Sequence, residues 1–479
     1  MPVRHHRNCD FRSSFAIHIL LTIITTTFLT SAARAQSAPH LDGTVETDTA
    51  TGLLRGDVCL SKLPQQQTYS FLLNRGLNIR EVRDGASGKP LKYTGYYDAT
   101  NAGDATRYTM ESGVGAGGFC VSYVGAYPVY RVDAGERSEL DWKGQIAFDG
   151  RTVRAADQTR FHPVVINAAT GAPLDTVSYK LDVTCPGCKA IFVNGSAPKA
   201  GPKATFSSDR PRQLMLYAGD FPYTSAGGVQ FVGAGISPAD ADAIRSGIKA
   251  VADAHAAYLG VPYSDEPVYL TFAAVSRSRT LGKTSWMFVT WPTIAMDGRV
   301  PFSQLLQETE GRRVFVPDRF IAHEMAHYYF GASYVPRGPL QWFLHESTAE
   351  FLALKAHRAF AGEKAYESVV RSHFQKAVTI SAVTPLDNVR EPEQIGSDYR
   401  YYLGPLLLIA LERYAGESVV RKTLISLVND PPAREVSYAD FRERLLSAGA
   451  PAAQLTAFEA ECLHKPVASG CLSTLPQVK

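Results

Sequence analysis

The chain has 479 residues, 45% of them apolar and 20% charged, the balance of a folded protein of two to four domains and not of a disordered one. Its net charge is +3, but residues 1–35 hold four arginines against one aspartate, which leaves 45 basic and 45 acidic residues in the rest. A surface that grips nucleic acid or anionic lipid needs a basic surplus, so neither is an expected partner.

Residues 1–35 read as an export signal. Three arginines in Met1–Arg12 precede the apolar, threonine-bearing stretch Phe15–Thr30, and Ala33-Arg34-Ala35 then offers a small-residue cleavage site before Gln36. The alternative is a membrane anchor, but the stretch is short of the roughly 20 apolar residues of a span and carries His18. No later segment is apolar for long enough, so the mature protein is expected to be soluble and periplasmic or secreted. Six cysteines lie beyond the signal: Cys59, Cys120, Cys185, Cys188, Cys462 and Cys471. Proximity favours pairing Cys462 with Cys471 and Cys185 with Cys188, leaving Cys59 for Cys120. The Cys185-Pro186-Gly187-Cys188 segment is read as a structural disulfide, ahead of a redox motif or a zinc knuckle.

From about 42 to 234 the chain predicts short strands: Phe71–Leu73, Leu77–Val82, Phe119–Val124, Gly144–Phe148, Ser178–Val183, Ala190–Val193 and Gln213–Tyr217. Turn dipeptides such as Asp84-Gly85, Asp149-Gly150 and Asn194-Gly195 separate them, the texture of a β-sandwich. At Ser237-Pro238-Ala239-Asp240 the pattern becomes helical, with a capping-box sequence at the start and Gly260 at the stop. Strands are predicted at Pro267–Val275 and Trp286–Trp291, and after Asp318 mostly helices, one of them capped by Ser437-Tyr438-Ala439-Asp440.

The chemistry concentrates at His323-Glu324-Met325-Ala326-His327. On a helix from about Asp318 to Phe330, ended by Gly331, positions i and i+4 share a face, so both imidazoles aim at one metal and Glu324 lies beside the solvent there. Eighteen residues separate His327 from Glu346, which lies on a second helix predicted from about Gln341. Two histidines and one carboxylate leave a fourth position open, the arrangement of a catalytic zinc site. Glu350, one turn on, is either the acceptor for a ligand's second ring N–H or a solvated carboxylate. His345 neighbours Glu346 and should project about 100° away from it, as a packed or supporting residue.

The H-E-x-x-H-x18-E spacing resembles the gluzincin metallopeptidases, specifically the alanyl and leucyl aminopeptidase family that includes leukotriene hydrolase. Trp342–Ala349 is similar to that family's W-L-N-E-x-x-A helix, with His345 where asparagine is usual. Phe71–Leu77 and the stretch from Arg160-Phe161-His162-Pro163 to Asn194-Gly195 resemble parts of its N-terminal β-domain. Tyr401-Tyr402-Leu403-Gly404 fits its Y-x-x-G motif, which implies Tyr401 as an oxyanion donor, with Tyr399 and Tyr402 as rivals. One departure matters. The family's G-x-M-E-N strand, whose glutamate holds the substrate amine, has no counterpart; the strand around Thr284–Val289 carries no acid.

The resemblance implies an α+β multidomain protein. The expected parts are the signal 1–35, a β-rich domain 36–235, a thermolysin-like zinc catalytic domain 236–365, and a helical part 366–479 that completes the cleft. Only about 80 residues follow Tyr401, so the family's large helical-repeat domain is not expected. One zinc per chain is expected on His323, His327 and Glu346, with Glu324 as general base and a peptide as substrate. Aminopeptidase-like activity is favoured, with Glu308 and Glu310 as candidate amine anchors. An endopeptidase without an anchor, or an inactive binding scaffold, are the alternatives.

Overall fold

The computed structural model describes residues 38–97, 105–111, 114–130, 146–233, 235–272, 287–297, 305–309, 311–315, 319–432 and 434–475. The proposed signal, Thr284–Trp286, Glu310 and Asp318 lie outside the described residues.

The front of the chain builds three sheets. A six-stranded sheet runs Lys203–Gln213, Thr176–Thr184, His40–Asp48, Leu53–Ser61, Phe119–Ala126, Asn78–Asp84. A four-stranded sheet runs Val164–Ile166, Ser70–Asn74, Ala105–Met110, Tyr93–Tyr97. Leu41, Val45, Leu54 and Val58 from the first share one apolar cluster with Phe71, Leu73 and Met110 from the second, as in a sandwich. Each such side chain, fully buried, contributes about 1.5–3 kcal/mol. A third sheet contains Ala190–Val193, Leu216–Gly219 and Thr152–Ala155. Most predicted strands are present within a few residues, but His40–Asp48 and Leu53–Ser61 were not predicted. Gln213–Tyr217 is two strands: one ends at Gln213, the next starts at Leu216.

The three expected disulfides are all present. Cys59 and Cys120 sit directly opposite each other on neighbouring strands.

A mixed five-stranded sheet follows: Tyr223–Ala226, Val229–Val232, Val268–Phe272, Thr293–Asp297, Met287–Thr290. Helix α1 (Pro238–Leu259) lies between its second and third strands in sequence. Ala241, Ile244, Ile248 and Val251, a helical stripe, pack with Phe231, Tyr269 and Ile294 of this sheet and with Ile321 and Met325. Ser237 caps α1 by accepting from the Asp240 amide. The reciprocal half of the predicted capping box is not made, because the Asp240 carboxylate pairs with Arg313. At Ser437–Asp440 both halves form.

The helices α2 (Arg319–Ala326), α3 (Thr348–Ala361), α4 (Glu363–Ala377), α5 (Gly404–Ala415) and α6 (Glu417–Asn429) make up most of the rest. Every residue from Gly404 to Leu411 is buried, so α5 is the centre of the helical core. Among the described residues three five-residue π turns interrupt the regular pattern: Phe343–Ser347 ahead of α3, Tyr399–Leu403 ahead of α5, and Glu459–Leu463 toward the end of the chain. Among the described residues no helix is long and apolar enough to cross a membrane.

Candidate metal centre

Helix α2 buries Ile321, Ala322 and Met325 in the core, which leaves His323 and His327 to share its other face. Helix α2 ends at Ala326, one residue before His327, and the chain then tightens into turns, so the predicted helix ends four residues early. The two rings meet edge to face with centroids 4.9 Å apart. Glu346 comes from the first π turn, and its Oε2 lies 3.2 Å from His323 Nε2 and 3.6 Å from His327 Nε2. One donor atom from each of the three falls within 4.8 Å of the others.

The remaining ring nitrogens tell which tautomers are present. His327 Nδ1 is 3.1 Å from the Phe330 carbonyl, which can only accept, so Nδ1 carries the proton. His323 Nδ1 is 2.9 Å from Glu350 Oε2 and donates likewise. With each Nδ1 so engaged, Nε2 of each ring is the nitrogen that faces the Glu346 carboxylate, either as an N–H donor or with a lone pair toward a metal ion. In the second case acceptors face acceptors, which in a buried site is unfavourable unless a positive charge sits among them. Burial alone would lower the pKa of His323, but hydrogen bonds to Glu346 and Glu350 and the field of Glu324 raise it to about 10. The donor set fits a zinc ion.

Behind the candidate ligands, Glu350 is 4% exposed and accepts from three groups: His323 Nδ1, His373 Nε2 at 2.9 Å, and Arg319 in an ion pair. It is not a solvated carboxylate. His373 on α4 gave no sequence signal. Arg319 stands four residues before His323, on the same helical face, and that spacing is a signal the sequence reading did not use.

A cleft of about 710 Å³ opens over the centre. Glu324 lines it beside the three candidate ligands. Tyr401 and Tyr402 line it as well, while Tyr399 is buried outside it. The Tyr401 ring lies 5.7 Å from that of His323. Burial and the charges of Glu346 and Glu324 raise its phenol well above the ordinary value, so it is a neutral donor at pH 7. Tyr402 instead stands edge-on to His373.

His345 is a packed residue, as expected, but it does not turn away from the cleft. It lines the cleft and stacks on His327 with centroids 4.4 Å apart and planes 27° apart. It sits beside Glu346 in the π turn Phe343–Ser347, and the stack on His327 holds it at the cleft. Gly331 makes room, since a Cβ there would lie 3.0 Å from His345 Cε1.

Glu308 is exposed on the strand Leu306–Thr309, which pairs with Arg312–Phe315, and does not line the cleft. The wall that faces the centre from the β-rich part carries Asp157, Gln158, Arg160, Asp175 and Gln213. Asp157 is buried and accepts from Thr290. The strand that carries Thr290 is clamped by Asn194, whose side-chain amide lies 3.0 and 2.8 Å from the Thr290 and Trp291 carbonyls.

No family model and no curated protein matches the sequence. Solved structures do match the fold. An M1 zinc metallopeptidase from Deinococcus radiodurans is similar at TM-score 0.58 and 17% identity, covering 88% of this chain and 93% of that one. A mutant from the same organism, bound to a Tyr-Ser-Ala substrate, is similar at TM-score 0.59 and 15% identity, covering 89% and 94%. Native yeast LTA4 hydrolase is similar at TM-score 0.61 and 12% identity, covering 90% of this chain and 68% of that one. The chain thus folds like the M1 zinc metallopeptidases, the fold that its H-E-x-x-H-x18-E spacing led us to expect.

Proposed function

We propose that this chain is an exported zinc-dependent peptidase of aminopeptidase-like activity, with one zinc held by His323, His327 and Glu346. The observation that carries the reading is the convergence of two histidine Nε2 atoms and a carboxylate at the floor of a cleft. On the same reading, residues 36–235 and 366–479 supply opposite walls of that cleft and 236–365 its floor. Zinc, when bound, supplies a Lewis acid that polarises a carbonyl and lowers the pKa of water.

The chain's own residues do the rest. Glu324 takes a proton from the attacking water and returns it to the leaving amine. The Tyr401 hydroxyl donates to the oxygen on which negative charge develops. Glu350 holds the His323 ring in its Nδ1–H tautomer and is a positioning residue. Asp157, already buried on the facing wall, is the acid offered to a substrate ammonium in place of the absent strand glutamate. The intact Glu324 counts against a merely binding scaffold, which needs no base.

Two measurements test this. Peptide hydrolysis should stop on chelation, return with zinc, and fall by about 10²–10⁴-fold in Glu324→Gln, with zinc content near one per chain. A free dipeptide amide should be cut faster than its N-acetylated twin, and Asp157→Asn should narrow the gap. Equal cleavage of both by the unaltered enzyme would remove the aminopeptidase reading and keep the zinc hydrolase.

A further inference from the structure

Arg400 precedes Tyr401 in the π turn Tyr399–Leu403. In an α-helix neighbours project about 100° apart, so a turn that only aimed Tyr401 would send Arg400 elsewhere. Here both line the cleft. The guanidinium stacks over Trp342, 3.9 Å from the ring centroid, and its Nε donates to the Ile395 carbonyl at 2.8 Å. Those two contacts fix the side chain. Nη1 and Nη2 have no protein acceptor among the described residues. The other cleft arginines differ: Arg160 is paired with Asp175, and Arg319 with Glu350. Partial burial also strips water from the Arg400 charge and lowers its pKa, although the field of Glu346 works the other way.

A fixed, stacked guanidinium with its fork open to a cleft matches a carboxylate, which takes two parallel N–H donors. We propose that Arg400 is a specificity-determining residue that binds a carboxylate of the substrate; this rests on the peptidase reading of the site. The carboxylate is either the free C-terminus of a short peptide or an aspartate or glutamate side chain. Trp342 holds the guanidinium plane, and Arg400 leaves the centre's own carboxylates to their histidines.

The test is a binding measurement that needs no turnover. Zinc-loaded full-length chain carrying Glu324→Gln is titrated calorimetrically with two pairs: Ala-Ala-Ala against its amide, and Ala-Glu-Ala amide against Ala-Gln-Ala amide. The acid member of one pair should bind tighter by about 10- to 100-fold, the range of a charged hydrogen-bonded pair, and that pair identifies the source of the carboxylate. Adding Arg400→Met should bring the ratio close to one. Arg400→Lys, a point charge without the fork, should leave an intermediate ratio and guards against a misfolded Met variant. Equal binding within both pairs, or a ratio that survives Arg400→Met and Arg400→Lys alike, overturns the proposal. A preserved ratio, with the unaltered zinc-loaded chain hydrolysing no peptide, would sink the peptidase reading and keep the carboxylate site.

Discussion

Replacing Glu350 with glutamine probes how far the candidate ligands depend on what lies behind them. The carboxylate serves His323 and His373, each at 2.9 Å, and Arg319, from a position 4% exposed. Glutamine keeps the shape, but its one oxygen cannot serve all three, and its NH2 meets a donor with a donor. One donor left unpaired costs about 1–3 kcal/mol, and removing the charge from a buried network brings the total to about 3–5 kcal/mol. The His323 ring also loses the acceptor that fixes its tautomer, a change that weakens metal affinity by about 10–100-fold. The two quantities are linked. A tenfold change in Kd is about 1.4 kcal/mol, so the extra stability conferred by saturating zinc should shrink by about 1.4–2.8 kcal/mol. Zinc affinity is read by competition with a chromophoric chelator, and stability by urea unfolding with and without zinc. A variant that is less stable yet binds zinc as tightly as the unaltered chain would show that Glu350 only packs the core, and the orienting argument would fail.

Gly404→Ala places a Cβ 2.0 Å from Ser347 Oγ and 2.5 Å from Ser347 Cβ, which forces apart the two π turns that carry Glu346 and Tyr401. We expect a loss of about 1–3 kcal/mol in stability together with lost activity, both partly restored by adding Ser347→Gly. Tyr401→Phe should lower kcat by about 10²–10³-fold with little change in KM; an unchanged kcat would strike Tyr401 from the mechanism. Asp265 is almost buried between Arg212 and Arg210. Burial pushes its carboxyl up, but hydrogen bonds from Arg212 and Ser264 and the arginine charges outweigh that and hold it below the ordinary 3.8. Its contribution is therefore fully present above about pH 4 and is lost as pH falls through the lowered folded value. The stability gap between the unaltered chain and Asp265→Asn should be constant near neutrality and close in acid, and a gap independent of pH would refute the ion pair's role.

The candidate ligands were legible because their geometry is local. In His323–His327 the i, i+4 spacing puts both rings on one face of a helix, wherever that helix sits. The disulfide pairs followed from proximity in two cases and elimination in the third. Strands with alternating burial, such as Thr176–Thr184, could be read too. His40–Asp48 and Leu53–Ser61 could not, because the first holds its place through pairing with Thr176–Thr184, more than 130 residues away in sequence.

What tertiary structure alone decided is the surroundings of the candidate metal site. His373 reaches Glu350 only because α4 folds back against α3. Asp157 enters the cleft only because the β-rich front docks its wall there. His345 and Arg400 line the cleft because of what packs on them there, His327 on the one and Trp342 on the other. Spacing along one helix fixes which residues share a face. Which side chains share a buried charge, a stack or a cleft wall depends on distances between segments, and those are set by the packing of the whole chain.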